Sequence, residues 1–274
     1  MRSRAIVALA SALGSFAVVL ALAAPAAAAV GPPYYSPEQA GYVATGARFQ
    51  LVQSEVRLPN AANFATEVAG FGVSVQLWTR YRVLVMGVSN STTAGNYHAA
   101  VAIFNRRTHA LICSTAASGA QRCPHTGSNW TNGSVSFPPG DNVMLDIVYD
   151  RATGRDNFFV QDLTAMVALA YHGYAPGTGQ HYRQARVGAE FAASPWASFS
   201  YTPAIAETHL VSFLNNLLTT YSGHNSGFAS WWTRHKILAT SNGSSTGTVE
   251  VRPHNLYHFG ANFGVYLQPR DPAG

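Results

Sequence analysis

The stretch Asn142-Val143-Met144-Leu145-Asp146-Ile147-Val148-Tyr149-Asp150 decides the fold class. Val143, Leu145, Ile147 and Tyr149 are apolar and spaced by two, with Met144, Asp146, Val148 and Asp150 between them. A period of two puts one set on an inward face of a strand and the other on a partly wet face. Asp146 and Asp150 fall on the second face and read as solvated. Just upstream, Pro138-Pro139-Gly140-Asp141 forces a reversal before the strand begins.

Outward from this strand the same texture recurs. Short runs rich in Val, Ile, Phe, Tyr and Leu alternate with Gly, Asn, Pro and Ser clusters. The clearest are Phe71 to Trp78, Arg82 to Val88, His98 to Asn105, Asn157 to Asp162, Ala185 to Phe191, Thr208 to Phe213, Lys236 to Thr240, Thr248 to Arg252 and Asn262 to Leu267. Asn132-Gly133 and Asn242-Gly243 supply turn residues that tolerate positive φ. Helix is scarce: Asn60 to Ala69 is the best candidate, with Asn60 as cap and Ala61, Phe64, Ala65 and Val68 at helical spacing. Many alternating strands without helices to cover a parallel sheet predict an all-β fold. An antiparallel β-sandwich of concanavalin or jelly-roll type satisfies it, and a closed barrel serves nearly as well.

The chain opens on Arg2 and Arg4, an apolar run from Ala5 to Ala23, then Pro25 and the small residues Ala26 to Ala29. That order reads as a signal peptide over residues 1–29, leaving an N-terminal extension over 30–40 and one β-sandwich domain over 41–270. No later run is long and apolar enough to span a bilayer, so no membrane contact is expected after cleavage. Removing Arg2 and Arg4 from 17 basic residues leaves 15 against 12 acidic ones, a scattered excess of +3 that argues against nucleic acid. Cys113 and Cys123 are ten positions apart. In an exported, extracellular protein they read as a disulfide closing one loop, ahead of a zinc site or a catalytic thiol.

Candidate chemistry is sparse. No Gly-x-Ser-x-Gly elbow is present. His254 and His258 have the spacing of a helical metal pair, but Pro253 and the strand-like surroundings make them polar loop residues, as with His224 between Gly223 and Gly227. Trp231-Trp232, with Tyr257 and Phe259, could form a platform for sugar rings, yet adjacent strand residues point to opposite faces, so one Trp belongs to the core. Among the carboxylates Glu190 stands out. It follows Val187-Gly188-Ala189, whose small side chains leave space beside it, and a carboxyl held among apolar groups is pushed up and can serve as general acid and base. The alternative is a Glu that is exposed or paired with the nearby Arg186.

The order of motifs around Glu190 resembles the glutamic peptidases, the secreted eqolisin-type endopeptidases, over most of the chain after the leader. Gly41-Tyr42 followed by a strand ending at Pro59 resembles that family's opening. Tyr81 to Val88 with Gly87, then Gly95 to Val101, resembles its second strand pair. Pro139-Gly140-Asp141 resembles its Gly-Asp turn, and Phe158 to Leu163, continuing to Thr164, its Glu-Asn-Leu-Thr strand end. Val187 to Phe191 resembles the segment with its catalytic Glu, and Thr208 to Phe213 and Val251 to Leu267 its closing strands. The resemblance implies a β-sandwich without cofactor or metal, in which Glu190 activates water and a Gln stabilises the oxyanion.

The family's Gln falls at Val85 or Met86, where no amide stands, and its Trp before the Glu falls at Arg186 or Val187. Gln76 is the remaining amide for the role, but alternation from Val73 and Val75 sends it to the opposite face unless the strands are shifted. The resemblance therefore carries the fold further than the activity. Two functions are expected to compete: an acid-active endopeptidase using Glu190 and Gln76 on an extended peptide, or a non-catalytic extracellular module binding polysaccharide or associated with a cell wall. Either is expected to be a monomer.

Overall fold

The computed structural model describes residues 29–36, 38–59, 70–91, 96–115, 121–124, 135–165, 170–190, 210–228, 232–240, 243–247 and 249–267. The proposed signal peptide lies almost wholly outside them, as do the helix candidate Asn60 to Ala69, the Asn132-Gly133 turn and Trp231.

In chain order the strands are β1 (Tyr34–Ser36), β2 (Gln39–Thr45), β3 (Phe49–Arg57), β4 (Gly70–Trp78), β5 (Arg82–Ser91), β6 (Tyr97–Asn105), β7 (Leu111–Ser114), β8 (Ser136–Phe137), β9 (Asn142–Asp150), β10 (Arg155–Asp162), β11 (Ala170–Tyr174), β12 (Gln184–Glu190), β13 (Leu210–Thr220), β14 (Asn225–Ser226), β15 (Thr233–Thr240), β16 (Val249–Pro253) and β17 (Phe263–Leu267). A 3-10 turn spans His258–Gly260.

Following the ladders, β1–β15–β2–β12–β4–β5–β6 form one layer, with β7 and β8 both on β6. β17–β13–β3–β9–β10–β11 form the other. β16 pairs with both β15 and β17 and joins the layers into one bent sheet. All pairings are antiparallel except β1 on β15. The layers meet where β3 packs on β4 and β12, and β9 on β4 and β5. This is the all-β antiparallel sandwich.

The core follows from alternation. From the first layer Val73, Val75, Leu77, Val187 and Ala189 point inward, and from the second Val52, Val56, Val143, Leu145, Ile147, Phe158 and Phe213 meet them, all essentially inaccessible. Burying each Val, Leu or Phe contributes about 1.5–3 kcal/mol. β9 matches the expected bounds and faces, with one correction: Asp146 is only partly exposed. Its Oδ1 is buried without a hydrogen-bond partner among the described residues, and burial raises its carboxyl to about 7. Asp150 instead closes the turn after β9, accepting from the amide nitrogens of Ala152 and Thr153 and from the Thr153 hydroxyl.

Cys113 and Cys123 are joined in a disulfide, tying β7 to the segment that follows it. No helix among the described residues is long and apolar enough to cross a membrane.

Candidate active site

β12 runs between β2 and β4, so Ala185 to Glu190 each have a neighbour on both sides. Val187 and Ala189 point into the core, which turns Arg186, Gly188 and Glu190 to the opposite face. On β4 the inward residues are Val73, Val75 and Leu77, so Ser74, Gln76 and Trp78 share the outer face with Glu190. Gln76 does leave the face of Val73 and Val75, as alternation requires, but Glu190 leaves it too, so the two share one face. No shift of register is needed.

Glu190 is only 6% exposed although it lies on the outer face. Its Oε1 accepts a hydrogen bond from Gln76 Nε2 at 2.8 Å and another from the Ser74 hydroxyl. Gln76 Nε2 also lies 3.1 Å from Ser74 Oγ, and Gln76 Oε1 accepts from Trp78 Nε1 at 2.7 Å. The indole thus fixes which end of the amide faces the carboxyl. Burial raises the Glu190 carboxyl to about 7, against the opposing pull of the Ser74 and Gln76 hydrogen bonds. Glu38 lines the same cleft; burial and then the charge of Glu190 raise it also to about 7.

A second amide stands on the other flank. Gln39 is the register partner of Glu190 on β2 and is buried, and its Nε2 has no hydrogen-bond partner among the described residues. Directly opposed residues hold their Cβ atoms about 5 Å apart. The place for Gln39 is made by Gly188, where a Cβ would lie 2.6 Å from the Ala40 carbonyl oxygen and 3.4 Å from Gln39 Cγ. Gly41 across the ladder has the same constraint, its Cβ position lying 2.1 Å from the Val187 carbonyl oxygen. These two glycines let β2 and β12 close over the site. Gly188 is legible beside Glu190 in the sequence, whereas the placement of Gln39 depends on a pairing 151 positions away in the chain.

Of the two positions matched to the family's Gln, Met86 is inaccessible in the core, whereas Val85 lines the cleft and sits directly opposite Gln76 in the β4–β5 register. An amide is thus present one strand away from the matched position. Trp78 and Arg186 are similarly displaced from a simple match: the Arg186 guanidinium lies 3.6 Å from the centre of the Trp78 ring.

These side chains line one cleft of about 870 Å³. Glu190, Glu38, Gln39 and Gln76 hold one part of it, and Trp78, Arg186 and Arg106 another, with Tyr34 and Tyr35 of β1 also in the wall. Segment 29–36 reaches it by docking along β15, through backbone bonds between Gly31 and Arg234 and between Arg234 and Ala29.

The other sequence candidates lie elsewhere. His254 and His258 are exposed near the 3-10 turn, and no group of three metal-binding side chains occurs among the described residues. Trp232 is buried against Phe49 and belongs to the core, while Tyr257 is exposed.

The sequence matches no protein-family model and no curated protein. Solved structures do resemble the fold. Scytalido-glutamic peptidase, crystallised with a transition-state analogue inhibitor, superposes with a TM-score of 0.57 at 11% identity, covering 85% of this chain and 99% of that one. A second structure of that enzyme, with a peptide-based transition-state analogue, gives 0.52 at 10% identity over the same shares. SCP-B, a member of the eqolisin family of peptidases solved with the tripeptide Ala-Ile-His, gives 0.52 at 12% identity, again covering 85% and 99%. The chain therefore shares the sandwich of the glutamic peptidases.

Proposed function

We propose that this chain is an exported peptide hydrolase in which Glu190 acts as general base and general acid, its leader over residues 1–29 being removed and the sandwich over 41–270, together with residues 34–40 of the extension before it, carrying the activity. The observation that carries the reading is a carboxyl buried on the outer face of a sheet, held by an amide at 2.8 Å and lining a cleft of about 870 Å³. Burial opposes the charge of such a carboxylate, and carboxyls perturbed in this way inside a cleft cluster at active sites.

The chemistry follows from two protonation states of one group. Ionised Glu190 takes a proton from a water molecule as the water oxygen attacks the peptide carbonyl carbon. The tetrahedral intermediate places its negative charge on the former carbonyl oxygen. Protonated Glu190 then delivers the proton to the leaving nitrogen as the carbon–nitrogen bond breaks. Gln76, oriented by Trp78, holds the carboxyl in place. Gln39 has an uncommitted N–H on the same face and is the donor available to the developing oxyanion. No metal or cofactor enters the scheme.

Steady-state cleavage of a fluorogenic peptide tests it. Gln76→Leu is expected to lower kcat by roughly 10²-fold, the scale of losing one positioned polar group, with KM nearly unchanged. Unaltered kcat would remove Gln76 from the site.

A further inference from the structure

Arg186 is the least explained side chain in the cleft. It is 9% exposed, its Nε is buried without a partner, and its one hydrogen bond among the described residues is from Nη2 to Gln184 Oε1 at 3.0 Å. No carboxylate pairs with it there. The guanidinium lies 3.6 Å from the Trp78 ring centre and 5.6 Å from that of Tyr34. Arg106 approaches the same indole at 5.2 Å, anchored by a 2.9 Å bond from Nη1 to the Thr79 carbonyl. Two guanidinium groups thus meet one indole inside the cleft, and burial with the neighbouring Arg106 charge lowers Arg186 to about 9. Stacking on an aromatic ring offsets only part of the cost of burying a cation without a counter-ion.

Arg186 also has a defined place relative to the chemistry. It shares a face of β12 with Glu190, four positions along, or ~13 Å at the rise of a strand. The contacts run continuously from Arg186 through Trp78 and Gln76 to Glu190. The carboxyls stand at one end and the cations at the other.

We propose that the Arg186–Trp78–Arg106 end of the cleft binds a carboxylate of the peptide substrate, either an acidic side chain or the chain's own C-terminus, about three to four residues from the bond presented to Glu190. This rests on the peptidase reading for the identity of the ligand as a peptide, and it makes the cleft bipolar: the substrate is held by charge at one end and cut at the other. A planar guanidinium suits two-point recognition of a carboxylate.

The test is equilibrium binding to the full mature chain carrying Glu190→Gln, which stops turnover. The probes are acetylated, amidated six-residue alanine peptides with one Asp placed at each position in turn, each paired with its Asn counterpart, and the all-alanine peptide with free or amidated C-terminus. At least one acid peptide is expected to bind tenfold or more tighter than its amide partner, and the advantage should shrink with salt and vanish in Arg186→Met. Should that variant not fold, Arg106→Gln is expected to reduce the advantage severalfold. A gain confined to the Asp series assigns an acidic side chain, and one confined to the free C-terminus assigns the terminal carboxylate. Equal binding within every pair, no binding by any acid peptide, or an advantage untouched by both arginine variants overturns the proposal. Parallel assays of the unaltered protein separate the two readings: cleavage without carboxylate preference defeats only the subsite, and preference without cleavage defeats only the peptidase.

Discussion

Replacing Glu190 by Gln should stabilise the protein at alkaline pH while leaving it nearly unchanged in acid. The carboxyl rises from 4.5 to about 7 because it is buried. Between those values the folded state keeps a proton that the unfolded chain releases, so Glu190's contribution to stability is fully present below pH 4.5 and is lost as pH rises through about 7. At ~1.4 kcal/mol per pH unit, the displacement costs about 3 kcal/mol at pH 8. The Gln carbonyl oxygen can still accept from Ser74 and Gln76, so Glu190→Gln removes the cost while retaining those bonds. For a domain of this size about 3 kcal/mol corresponds to roughly 10 °C in Tm. Urea and thermal denaturation at pH 5 and pH 8, disulfide intact, provide the assay. A variant equal to the parent at pH 8, or less stable there, would refute the claim that Glu190 is held ionised at a cost.

Three further outcomes are expected. Gln39→Leu should lower kcat by about 10²-fold with little change in KM, checked by steady-state peptide cleavage; an unchanged kcat would exclude Gln39 as oxyanion donor. Gly188→Ala should cost about 1–3 kcal/mol by urea denaturation, because a Cβ 2.6 Å from the Ala40 carbonyl forces β2 away from β12, and it should also displace Gln39 and abolish activity. Glu38→Gln removes a like charge facing Glu190, so the acid limb of the kcat/KM profile should move to lower pH; a shift upward would contradict the repulsion between these carboxyls.

Much of this architecture is legible in the residues. The alternation from Val143 to Tyr149 fixes the faces of β9 because one side of that strand is almost wholly apolar. Glu190 is legible for a related reason, a charged residue beside small ones inside a strand. The faces of Gln76 and Glu190 follow from local parity too, once it is applied to Val187 and Ala189 as well as to Val73 and Val75. Gln39 is different: only the β2–β12 ladder places it beside Glu190, and no local pattern encodes a partner that far along the chain. The same holds for the docking of Tyr34 beside Arg186, which depends on a parallel pairing of β1 with β15. Asp146 misled because Met144 and Val148 flank it on a face that is only partly wet.

The most direct test of the central claim is hydrolysis of a denatured protein by the purified mature chain from pH 3 to 8, beside its Glu190→Gln variant, with products identified by mass spectrometry. The account predicts cleavage that falls away in acid as a group titrating near 7 takes up its proton, against the acid activity expected from the sequence, and that disappears in the variant although that protein is folded and more stable at pH 8. Cleavage that persists in folded Glu190→Gln, or none by the parent at any pH in that range, would contradict it.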